Sequence, residues 1–185
     1  MQEFDTVNAQ EFNWVKSSAG KRRYELRAGE AVVATLSWTR GRQAEAEWSK
    51  SRYRFSRQGW FRQRTLVFEL PQAAPKPAVP EQSVAILVHQ GSGGTLIFSN
   101  GRTFRWSKAG TWSNQQVWLD SHGGEVIRFA PGHRDATVVL HPATDLASIP
   151  ELPLLLLLGQ YLLVSAAEEA EAATTAALVA VIASS

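Results

Sequence analysis

The sequence predicts a mainly β fold, an antiparallel β-barrel of about twelve strands closed around a hydrophobic α-helix near the C-terminus. Three observations carry this. From residue 11 to 141 the chain breaks into short runs rich in Val, Trp, Phe, Tyr and Thr, set apart by Gly, Ser, Asn and Pro clusters, the spacing of an all-β domain. Residues 152–167 are apolar on every side of a helical wheel except at Gln160, Tyr161 and Ser165. No other stretch before it has the pattern of a helix, so the helix must be enclosed by strands or by lipid. Barrels of about eight strands fill with their own side chains, whereas about twelve leave space that something must occupy.

The strands are expected at 11–15, 22–27, 31–38, 43–48, 51–57, 60–70, 83–90, 95–99, 103–107, 116–120, 124–130 and 135–141. Several alternate: Ala44, Ala46 and Trp48 share one face, while Gln43, Glu45 and Glu47 share the other. Asn100-Gly101 is a hairpin signal, and the glycines of 91–94 and 123–124 tolerate positive φ. The Pro-rich stretch 71–80 cannot form a ladder, so it reads as a loop between half-barrels 11–70 and 83–141 of a single 185-residue domain. Trp-Ser-Lys recurs at 48–50 and 106–108, an echo short enough to arise by chance.

The helix begins with leucines, good helix formers, and Pro153 fits its first turn. Sixteen residues make a rod of about 24 Å, short of the ~30 Å of a bilayer core. The segment 168–185 opens with Glu168, Glu169 and Glu171, then becomes Ala-rich without Gly or Pro. A helix running on to residue 183 would be too long for a barrel to house, so the expectation is a break near 166–171 and a second Ala-rich helix, or else a protruding end.

Twelve antiparallel strands in two halves followed by an all-apolar helix, with the Trp/Phe-rich segments 101–106 and 118–124, resemble the fold shared by the tubby C-terminal domain, the LURP-one-related proteins and the phospholipid scramblases. That resemblance implies a closed barrel around a central hydrophobic helix. It is one of architecture, without a diagnostic motif: scramblase-type cysteines and an acidic calcium-binding run before the helix are missing, and tubby's lipid-binding residues have no counterparts that can be placed.

Composition narrows the function. The chain has no cysteine, which removes disulfides, thiolate metal sites and Cys nucleophiles. The net charge of +2 is uneven: residues 1–70 carry 13 Lys+Arg against 8 Asp+Glu, and residues 71–185 carry 6 against 9. This polarity falls short of a dedicated nucleic-acid binder. No basic segment leads into an apolar one at the N-terminus, so the expected location is cytoplasmic, with peripheral attachment to a membrane allowed.

The candidate binding residues are Lys50, Arg52, Arg54, Arg57, Arg62 and Arg64, a run without an acid from residue 48 to 68 and interleaved with Tyr53, Phe55, Trp60 and Phe61. Such a run could hold the headgroup phosphates of anionic lipids at a membrane surface or a nucleic-acid backbone. The competing explanation is strand alternation alone, with Arg52 and Arg54 on a wet face opposite Tyr53 and Phe55. Lys21, Arg22 and Arg23 lie in a turn and could join the patch. His89, His122, His133 and His141 lack metal-ligand spacing, and residues 91–94 are neither a nucleophile elbow nor a phosphate loop. The seven tryptophans read as strand anchors, or as an aromatic rim. The expectation is a non-enzymatic binding module without cofactor or metal. The alternatives are a small-molecule enzyme or carrier with its site at a barrel mouth, a protein-interaction or structural domain, and a protein whose C-terminal region enters the membrane.

Overall fold

The computed structural model describes residues 11–18, 22–59, 63–71, 82–132, 136–140 and 148–183. Twelve strands form one closed antiparallel barrel in which each pairs with its sequence neighbours and β1 closes on β12. They are β1 (Glu11–Lys16), β2 (Arg23–Ala28), β3 (Ala31–Arg40), β4 (Gln43–Trp48), β5 (Ser51–Gln58), β6 (Arg64–Leu70), β7 (Ser83–Gln90), β8 (Gly93–Phe98), β9 (Thr103–Lys108), β10 (Gln116–Leu119), β11 (Glu125–Pro131) and β12 (Ala136–Leu140). Among the described residues a single helix, α1 (Leu152–Ala183), follows. The seam pairs Trp14 with Ala136 and Phe12 with Val138, so inward residues meet inward residues and closure keeps the pleat. A closed barrel leaves no unpaired edge.

Up-and-down connectivity puts alternate turns at opposite ends. The helix enters beside the β8–β9 and β10–β11 turns and leaves past the β1–β2, β3–β4 and β5–β6 turns, which define an entry end and an exit end. At the entry end Glu151, just before the helix, accepts from Asn100 Nδ2 at 3.1 Å and pairs with Arg102 at 2.8 Å. The Asn100-Gly101 turn has Gly101 at φ +84°, as a tight hairpin requires, and thereby seats the start of the helix.

The interior fills in layers around α1. Phe98 and Phe104 pack edge to face at 5.9 Å near the entry. At mid-height Trp106, Trp118 and Phe129 cluster on one side of the helix, with ring centroids 4.9 Å and 5.4 Å apart. The buried Trp118 Nε1 donates to the Leu155 carbonyl at 2.9 Å and fixes the helix along the barrel axis. Toward the exit Tyr161 stacks on Trp38 at 5.7 Å and meets Phe55 at 5.3 Å, while its hydroxyl donates to the Arg42 carbonyl at 2.7 Å. Burial pushes the Tyr161 hydroxyl pKa up to about 12. Ala34, Leu36, Ala44 and Ala46 leave room on β3 and β4, two of the strands nearest the helix.

Gly159 is the closest approach. A Cβ there would collide with the Phe129 ring, so this glycine, unfavourable in a helix interior, is required by packing. Leu152, Leu154 to Leu158, Tyr161 and Leu162 are buried as the all-round apolar pattern predicts, and Leu163 is partly buried. The expected second helix does not exist separately: α1 is continuous for 32 residues, about 48 Å, and its outer half projects from the exit. Nothing in 160–183 removes a backbone donor or favours another conformation, so the ladder runs through the glutamates. Thr174 and Thr175 even return their hydroxyls to the carbonyls of Ala170 and Glu171.

Candidate functional site at the exit end

The six cations expected to act together are separated. Lys50 sits in the β4–β5 turn at the entry end, after Ser49 at φ +53°. Arg52 and Arg54 point outward on β5, and Arg64 is exposed at the exit-end start of β6. Seven residues of strand put Lys50 and Arg57 about 23 Å apart. Arg62 lies outside the described residues, as do Lys21, Trp60, Phe61, His133 and His141. Nor is the acid-free run acid-free in space: the β4–β5 hairpin sets Glu47 opposite Arg52 and Glu45 opposite Arg54, and Arg52 reaches Glu45 at 3.3 Å. Arg54 lies over the Phe68 ring at 5.8 Å.

Arg57 corrects the reading most. It shares the inward face with Tyr53 and Phe55, pairing across to Thr65, and its side chain is only 11% exposed. Its Nη1 donates to Glu169 Oε1 on α1 at 2.8 Å, and its Nη2 bonds the Gln63 amide oxygen. Arg22, just before β2, pairs with Glu168 at 2.6 Å and covers the Trp38 ring at 5.1 Å. Arg42, in the β3–β4 turn, reaches Glu169 at 3.6 Å. Arginines from three parts of the barrel thus clamp two glutamates as the helix leaves. Nearby, His89 faces inward and shares a hydrogen bond of 2.8 Å with Thr65 Oγ1. Burial, and then the Arg57 charge, lower its pKa to about 4, so it is neutral at physiological pH.

With Glu168 and Glu169 paired, the exit end is basic among the described residues. Lys16, Arg22, Arg23, Arg40, Arg42, Arg57, Arg64 and Lys108 stand there against Glu168, Glu169 and Glu171. The entry end carries Glu30, Glu47, Glu69, Asp120, Glu125 and Glu151 with Arg27, Lys50, Arg52 and Arg102. The two halves of the sequence hinted at a polarity; the barrel turns it into one along its axis.

The exit end also carries exposed apolar groups. Trp112, in the β9–β10 turn, is 98% exposed rather than a strand anchor. Leu178 and Val179, on the projecting helix, are exposed as well. Trp48 ends β4 and Trp106 lies within β9, so the repeated Trp-Ser-Lys occupies unlike settings. Among the described residues no group of His, Asp or Glu could hold a metal ion. α1 is long and apolar enough to cross a membrane, but much of that span is enclosed by the barrel.

No protein-family model, curated protein or solved structure matches the chain.

Proposed function

We propose that the protein is a non-enzymatic binding module for anionic membrane surfaces, docking with its exit end toward the lipid. The observation carrying this reading is the surplus of arginines and lysines around that end. The chemistry fits a bilayer interface: cations attract anionic headgroups, an exposed tryptophan suits the headgroup level, and the uncharged turns 172–179 can enter the acyl boundary.

The reading moves the lipid-binding residues from one strand to one end of the barrel, so two sets of substitutions separate the possibilities. Arg23, Arg40, Arg64 and Lys108 are exposed at the exit end, whereas Arg52 and Arg54 lie on the barrel wall. Each cation near an anionic surface contributes about 1 kcal/mol, so the fourfold exit-end change to Gln should weaken sedimentation with anionic vesicles by roughly two to three orders of magnitude at low salt. Changing Arg52 and Arg54 to Gln should cost little. Equal loss in both variants, or no preference of the native protein for anionic over neutral vesicles, overturns the reading.

A further inference from the structure

Beside the projecting helix at the exit lies a cleft of about 660 Å³ between α1 and the ends of β1, β2, β11 and β12. Its apolar walls include Leu163 and Val164 on the helix and Pro131 and Ala136 on the barrel. At its base Gln160 is 3% exposed, and its Oε1 is buried without a hydrogen-bond partner. On β1, the inward position two residues below the rim residue Lys16 is Trp14, whose buried indole N–H also has no partner.

A buried carbonyl oxygen without a donor is unfavourable, and the sequence had a simple remedy, because any of the leucines around position 160 would have suited the core. Retaining a glutamine at the base of an open cleft therefore has a cost that a bound donor would offset. The charges at the rim balance, with Lys16 and Arg22 facing Glu168 and Glu171, and Arg22 already engaged with Glu168. An ion of either sign gains little there. A volume of this size, with one apolar side formed by Leu163, Val164, Pro131 and Ala136, charged groups at its rim and a polar group at its base, is within the range of a small-molecule site.

We infer that the cleft is a binding site for a small uncharged amphiphile, whose apolar body lies against Leu163, Val164 and Ala136 and whose hydroxyl or N–H donates to Gln160 Oε1 once that buried amide turns toward the cleft. The cleft shares Lys16 and Arg22 with the exit-end charges, but Gln160 and the apolar wall that define it lie inside the rim, and the inference does not depend on lipid binding.

The test uses the full chain in solution without vesicles, titrated with 1-octanol and with methyl heptyl ether, a probe of similar size that has no donor. Amide chemical shifts report where each binds. 1-Octanol should perturb Gln160, Ala136 and Leu163 and bind at least tenfold more tightly than the ether. Gln160→Leu, or Gln160→Met should the first variant fold poorly, should bind both probes equally. Ala167→Trp, at an exposed position on the cleft wall, should block both. Absence of shifts at the cleft, or an alcohol preference that survives loss of Gln160, would overturn the inference.

Discussion

Arg57 of β5 and Glu169 of α1 meet at 2.8 Å, and the two partners are unequally hydrated: the arginine is 11% exposed and the glutamate 43%. The pair ties the barrel wall to the helix where the helix turns from core into projection. Glu169→Gln should therefore destabilise more than a surface ion pair, by roughly 1.5–3 kcal/mol, because it leaves a largely desolvated guanidinium with less compensation. A double-mutant cycle with Arg57→Gln, read from urea midpoints, should give a coupling of at least about 1 kcal/mol. The same cycle on Arg52 and Glu45, where the arginine is far more exposed than Arg57, should give a few tenths.

Gly159 lies under the Phe129 ring. Intrinsic propensity alone would make Gly159→Ala stabilising by about 1 kcal/mol. Overpacking reverses the sign, and the variant should lose about 1–3 kcal/mol, since the neighbour is a rigid ring in a filled core. Phe129→Leu alone should destabilise, but combined with Gly159→Ala it should cost less than the sum. Thermal unfolding of the four proteins checks this, and additivity would place the ring elsewhere.

His89 gives the fold a defined response to acid. Its folded pKa of about 4 lies below the unfolded value of about 6.5, so between these values the unfolded chain binds a proton that the folded chain refuses. The contribution of neutral His89 is complete above about pH 6.5, declines as the pH falls, and is gone below about 4. Allowing for solvent screening at a half-buried group, this is about 1–2 kcal/mol. His89→Gln should retain a hydrogen bond to Thr65 and show a shallower fall in urea midpoint between pH 7 and 4.5. Identical slopes in the two proteins would mean that His89 charges freely in the fold.

Much of this architecture was legible because it rests on local rules. Twelve strand runs and an all-round apolar helix each carry their own periodicity, and closure follows from what such a helix needs. Of the two expectations for the end of the helix, a break or a protruding end, the second holds: the argument concerned what a barrel can contain, and α1 satisfies it by leaving the barrel. The basic run misled because adjacency in sequence is not adjacency on a sheet. Counting by twos from Tyr53 and Phe55 places Arg57 on the inward face, and folding β4 back on β5 brings Glu45 and Glu47 to Arg54 and Arg52. Both signals were present. The exit-end clamp was not legible, since Arg22, Arg42 and Arg57 meet Glu168 and Glu169 only through the three-dimensional closure and the position of the helix along its axis. Nor could the sequence distinguish Gln160, an orphan at the base of a cleft, from a glutamine on a wet helix face.

The central claim, that the exit end faces an anionic bilayer, is tested most directly at Trp112, since this side chain is fully exposed there while Trp14, Trp106 and Trp118 are enclosed in the barrel. The measurement is tryptophan emission on adding vesicles whose lipids carry bromine on the acyl chains, with and without anionic headgroups. The account predicts a blue shift and quenching with anionic vesicles, both weakened by salt and both largely removed by Trp112→Phe. Unchanged emission, or quenching that persists undiminished in Trp112→Phe, would contradict it.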